Sequence, residues 1–172
     1  MTQFSDLGLS QPVLQALDLK GYSTPTPIQE GAIPPVLEGR DLMGIAQTGT
    51  GKTAAFMLPS IDRLREADKQ TPFKSCRMLV LALTRELAGQ IAQSAKDYGA
   101  LAGLKVHSIV GGTSVNKDRN KLHRGTDILV ATPGRLLDLI DQKAFTLDKV
   151  EVLVLDEADQ MLDMGFIHAL RR

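Results

Sequence analysis

Five short apolar runs, separated by longer stretches of helical periodicity, constrain this chain more than any other feature. The runs cover residues 42–46, 78–83, 106–110, 128–131 and 150–155 and are rich in Val, Ile and Leu. Runs this short and this continuous predict strands buried on both faces, as in a parallel sheet. Helices are predicted between them over 52–66, 85–102, 115–123 and 133–142. Ahead of the first run, Ser10 can cap a helix that Gly21 ends, and Thr26-Pro27 opens another. Strand–helix alternation with such short connections implies right-handed crossovers, hence an α/β fold with a parallel sheet and helices on both faces. In such sheets ligands bind beyond the carboxyl ends of the strands, so the chemistry is sought there.

The first run leads into Ala46-Gln47-Thr48-Gly49-Thr50-Gly51-Lys52-Thr53 and then a helical pattern. This fits the phosphate-loop template with Ala in place of its first Gly. Glycines let successive backbone N–H groups converge on phosphate oxygens, and the positive end of the following helix points the same way. Lys52 would reach the β- and γ-phosphates, and the Thr53 hydroxyl would ligate Mg²⁺. A chance Gly-Lys-Thr in a flexible loop is the alternative; strand, loop and helix in the required order argue against it.

The last run ends in Asp156-Glu157-Ala158-Asp159. A carboxylate at a parallel strand tip suits Asp156 to hold Mg²⁺ beside phosphates. Glu157 could orient and deprotonate an attacking water, while Asp159 lies too far along to serve the same metal easily. Taken alone, these acids could equally be helix caps. Paired with a phosphate loop, they read as a site for Mg²⁺-dependent nucleotide hydrolysis, with Lys52, Asp156 and Glu157 as catalytic groups.

Charge narrows the choice of partner. Twenty basic and twenty acidic residues cancel among 172, so any nucleic-acid site is local rather than a global basic surface. One cysteine, Cys76, excludes an internal disulfide, and its setting reads as a packed residue. No charged leader precedes an apolar run at the amino terminus, and no stretch reaches the roughly 20 apolar residues of a membrane helix. The expectation is a soluble, cytoplasmic protein.

Asp156-Glu157-Ala158-Asp159 spells the name of the DEAD-box RNA helicases, and further motifs agree in order and spacing. Gly21-Tyr22 followed by Pro25-Thr26-Pro27-Ile28-Gln29 resembles that family's adenine-reading Q motif. Thr84-Arg85-Glu86-Leu87-Ala88 is similar to its first RNA-contacting motif, Gly111-Gly112 to its double-glycine turn, and Thr132-Pro133-Gly134-Arg135 to the next RNA-contacting motif. Met161-Leu162-Asp163-Met164-Gly165-Phe166 resembles the usual trailer of the acidic box.

The resemblance implies a RecA-like phosphate-loop domain, the first of two. Residues 1–30 would form the adenine-recognition region and 31–172 the helicase ATP-binding domain, incomplete at its carboxyl end. It assigns the nucleotide to Tyr22, Pro27, Gln29, Gln47, Thr48, Gly49, Thr50, Gly51, Lys52 and Thr53. It assigns RNA to Arg85, Gly111, Gly112, Thr132, Pro133, Gly134 and Arg135, which would grip backbone without sequence preference. An amide that donates and accepts at once suits Gln29 to a purine edge, although Gln29 also completes a capping box with Thr26. Phe4 is similar to an upstream aromatic of the family, with simple packing an equal alternative. Leu83 stands where the family usually has Pro, which frees the backbone ahead of Arg85. The Ser-Ala-Thr motif, the second domain and its arginine finger would follow Arg172. The 172 residues alone are therefore expected to bind ATP weakly, hydrolyse it poorly and unwind nothing, with the sheet edge exposed. An ATP-gated RNA clamp and a DNA-acting relative are the competing readings.

Overall fold

The structure is a computed structural model and describes residues 1–47 and 49–163. The described chain is α/β, with helices flanking a four-stranded, wholly parallel sheet. It divides into two units, Met1–Lys69 with Ser94–Leu104, and Gln70–Gln93 with the remainder from Lys105.

The first unit is helical. Helices α1 (Gln11–Leu19), α2 (Pro27–Leu37) and α3 (Lys52–Ala67) bury Val13, Leu17, Ile33, Met57, Leu58, Ile61 and Leu64. Ser10 stands at the amino end of α1 as expected, but its side chain is turned elsewhere. Its hydroxyl and its N–H both donate to the buried Asp62 of α3. A buried carboxylate is tolerable because two donors satisfy it, with Arg65 nearby at 3.8 Å. Phe4 is 4% exposed and its N–H donates to Ser23, which favours the packing reading of that ring. The last turn of α4 (Arg85–Gly99) belongs to this unit, where Asp97 pairs with Lys20 at 2.7 Å.

The second unit holds the sheet, in the order β2 (Val106–Ile109), β3 (Thr126–Ala131), β1 (Cys76–Leu81), β4 (Val152–Leu155). The two central strands are buried along their whole length, as near-continuous apolar runs require. Phe145, Leu79, Leu129, Ile109, Leu122, Leu139 and Met161 pack into one core cluster with Cys76, and Leu83 lies against its rim. Burial pushes the Cys76 thiol up to about 12, so it is a packed apolar residue, as the sequence suggested.

Two expectations need correction. Residues 42–46 form no strand, and Leu42, Met43 and Ile45 are exposed. An apolar run becomes a strand only by pairing its backbone groups with a neighbour. Nor is β4 buried on both faces. It is an edge strand whose Leu153 and Leu155 are 57% and 38% exposed. Elsewhere the elements fall within a few residues of their expected ends, including α5 (Val115–Leu122) and α6 (Pro133–Asp141).

Candidate nucleotide site and nucleic-acid surface

The residues that the sequence assigns to the nucleotide fall into the two units. In the first, the loop Gln47–Gly51 runs into α3, whose first residue is Lys52. Gly49 and Gly51 have φ of 85° and 81°, a left-handed backbone that suits glycine. The Thr50 hydroxyl donates to the Gln47 carbonyl at 2.6 Å and closes the turn. The first-turn N–H groups of α3 have no acceptor within the helix, so the loop runs into a positive dipole end. Thr53 lies in that turn, half-buried. Thr48 falls outside the described residues.

Gln29 ties this loop to α2. It is 6% exposed; its Oε1 accepts the Thr26 N–H at 2.9 Å, and its Nε2 donates to the Gly51 carbonyl at 3.0 Å. The amide retains one donor hydrogen and one lone pair after these bonds. A Cβ on Gly51 would collide with that amide and lie 3.1 Å from the Thr26 hydroxyl, so Gly51 answers to packing as well as to backbone angle. The Thr26 hydroxyl is buried without a hydrogen-bond partner; the capping box holds through its Gln29 half. Tyr22 keeps half its surface exposed and Pro27 is exposed.

In the second unit, the ladder continues one residue past β4, where the Asp156 N–H donates to the Leu81 carbonyl at 3.1 Å. Asp156 is 5% exposed. Glu157 follows with φ of 55°, one of four non-glycine residues with positive φ among those described. Such a backbone costs on the order of 1–3 kcal/mol and tends to gather at functional sites. The chain then turns into α7 (Ala158–Asp163), with Asp159 exposed in its first turn. Of the expected trailer, Met161 is buried, and Met164, Gly165 and Phe166 lie outside the described residues.

The residues assigned to RNA lie together past the carboxyl ends of β1, β3 and β2. Arg85 opens α4, where the Thr84 hydroxyl accepts the Leu87 N–H at 3.1 Å. Its exposed guanidinium lies against Gly112, where a Cβ would come within 2.5 Å of it. Gly112 has φ of 82°, and Gly111 has open space where a side chain would stand. Thr132 begins α6 with Pro133 at its first position, and the Thr132 N–H donates to Ile109 at 3.2 Å. Gly134 is exposed with nothing near its missing side chain.

Arg135 is placed differently from its neighbours. It is 8% exposed, paired with buried Asp118 at 2.6 Å, and donates to the Thr113 carbonyl at 2.8 Å. Its charge is thus spent inside the protein, clamping the turn after Gly112 to α5 and α6. Residue type alone could not reveal this, because the Asp118 partner lies on another helix.

A parallel α/β sheet, a glycine-built phosphate loop opening a helix and an acidic pair at a strand tip define the RecA-like class of phosphate-loop domains. The family model described as DEAD/DEAH box helicase matches residues 26–172, and the chain belongs to that family. It is 47% identical over 165 residues to the DEAD-box ATP-dependent RNA helicase CshA of Streptococcus pneumoniae, covering 96% of this chain and 30% of that protein. It is also 47% identical to the ATP-dependent RNA helicase DeaD of Escherichia coli, over 96% of this chain and 26% of that one. For the ATP-dependent rRNA helicase RRP3 of Saccharomyces cerevisiae the identity is again 47%, over 98% and 33%. The chain therefore spans about a third or less of the length of these relatives.

Proposed function

We propose that this chain is the nucleotide-binding portion of an ATP-dependent RNA helicase, gripping ATP–Mg²⁺ and the backbone of single-stranded RNA. The observation that carries the reading is the Gln29 amide bonded to Gly51, which joins an adenine-reading segment to a phosphate loop. A purine over Tyr22 would meet the remaining donor and acceptor of Gln29, while its phosphates meet the N–H groups of the loop and Lys52. The hard oxygen donors Thr53 and Asp156 suit Mg²⁺, which would neutralise phosphate charge when bound. Glu157 would hold the attacking water and accept its proton.

RNA would lie on the exposed N–H groups of Gly111, Gly112 and the start of α6, with Arg85 supplying charge. Arg135 supports that surface by holding Thr113, in place of touching phosphate itself. These groups read no base edges, so binding is sequence-tolerant. The hydrolysis step also needs charge stabilisation of the arginine-finger kind, worth orders of magnitude, which these motifs do not include. The purified chain should bind ATP weakly, turn it over slowly and separate no duplex.

The test is equilibrium binding of a fluorescent ATP analogue with and without Mg²⁺, beside phosphate release with RNA. Lys52→Ala should abolish binding, and Glu157→Gln should keep binding while removing residual hydrolysis. Equal hydrolysis by Glu157→Gln and the unaltered chain would refute the base assignment. Duplex unwinding by the chain itself would refute the partial-machine reading.

A further inference from the structure

We propose a second RNA contact at the amino-terminal ends of the strands, the opposite end of the sheet from Arg85 and Gly112. A pocket of about 410 Å³ there is lined by Lys74, Lys143, Arg119 and His123 with the amides of Asn116 and Asn120. No carboxylate lines it. The one acid of α5, Asp118, is instead buried against Arg135. Three cationic side chains, Lys74, Arg119 and Lys143, repel each other across one cavity in the absence of an anion, so their convergence describes a polyanion site.

The anion is identified by what stands beside the cations. Phe73 is 63% exposed, packed edge-on against His123 at 4.9 Å, with the Lys74 ammonium over its ring at 5.6 Å. An exposed ring interleaved with cations is the chemistry of a stacking platform beside a phosphate track, which fits single-stranded nucleic acid. A free phosphate would use the lysines and leave the ring without a role. The proposal rests on the reading of the chain as an RNA-binding protein and extends its footprint.

The pocket is held in place by the fold. The carbonyls of Lys74 and Ser75 accept N–H bonds from Thr146 and Thr126, and the Ser75 hydroxyl donates to Thr146. Lys74 and Lys143 both have left-handed backbones, with φ of 49° and 56°. At the end of α6, the N–H groups of Lys143 and Ala144 bond the Ile140 and Leu139 carbonyls, a helix ending whose left-handed position usually belongs to glycine. Lysine there disfavours the fold relative to glycine, and in return aims an ammonium into the pocket.

That conformation supplies a clean test. Lys74→Gly and Lys143→Gly remove charge while relieving the backbone, so neither should unfold the protein, and unfolding in urea confirms it. A labelled oligouridylate about a dozen nucleotides long is titrated against the chain at several salt concentrations. The double variant should bind on the order of tenfold more weakly, with its salt slope reduced by about 1.4, for two lost phosphate contacts. Phe73→Ala should weaken binding without altering that slope, and Lys149→Ala should do neither. Amide resonances of residues 73–75, 116–123 and 143 should shift with RNA. RNA binding that shifts only the Arg85, Gly112 and Thr132 region, with the double variant unimpaired, overturns this inference and spares the proposed function. Failure of the unaltered chain to bind RNA at all overturns both.

Discussion

Gly125 shows how much one residue can decide. It has φ of 78°, and a Cβ there would collide with the Pro72 carbonyl oxygen, lie 2.8 Å from its carbon and 3.1 Å from the Ser75 oxygen. All three atoms are backbone, and the Ser75 oxygen is itself held by the Thr126 N–H, so only movement of main chain could make room. Gly125→Ala should cost about 3 kcal/mol or more, measured as a shift of the urea midpoint. A loss under about 1 kcal/mol would mean that the Pro72 segment yields to the added methyl. Residue identity in the sequence nominated Gly49 and Gly51 for the phosphate loop, and both have left-handed backbones. It could not tell that Gly51 also faces Gln29, or that Arg135 is committed to Asp118, since those contacts depend on which elements pack together.

Single elements carry the next level of behaviour. Lys20, after α1, donates to Asp97 at the end of α4, and that bond raises its pKa above the ordinary lysine value despite an opposing desolvation. Burial raises Tyr98 on the same helix. Both folded values lie above the unfolded ones, so the associated stability is intact below about pH 10 and is lost as pH climbs beyond it. Unfolding followed across that range should therefore decline, and Tyr98→Phe with Lys20→Met should flatten the decline. At α4's other end, Leu83 lies against the core rim and Thr84 caps the first turn, so Arg85 is placed without the proline usual in the family. The freer backbone should still weaken RNA grip. Leu83→Pro in the intact protein should raise RNA affinity, and equal affinities would dismiss that idea. The failed strand at 42–46 belongs to this scale too: hydrophobic runs record what a segment would bury, whereas strand formation depends on a partner that no local pattern names.

At the scale of the whole chain, the proposed RNA binding is compatible with zero net charge only if cations are gathered locally. The alternation of runs and helices made the α/β fold and four of its strands legible, because period and connection length are local properties. The loop ahead of α3 and the acidic end of β4 stand where the local pattern put them, for the same reason. The pocket of Lys74, Arg119, His123 and Lys143 was not, because its members are scattered along the sequence and only the parallel topology brings their strand and helix ends together.

The proposed function assigns one Mg²⁺ to both Thr53 and Asp156. Substituting Mn²⁺ for Mg²⁺ with a slowly hydrolysed ATP analogue tests it through paramagnetic broadening of backbone amide resonances. Amides of residues 49–53 and of 155–157 should broaden together, and Asp156→Ala should restore both sets by weakening the metal. Broadening confined to the loop, with Asp156 and Glu157 untouched, would contradict the account.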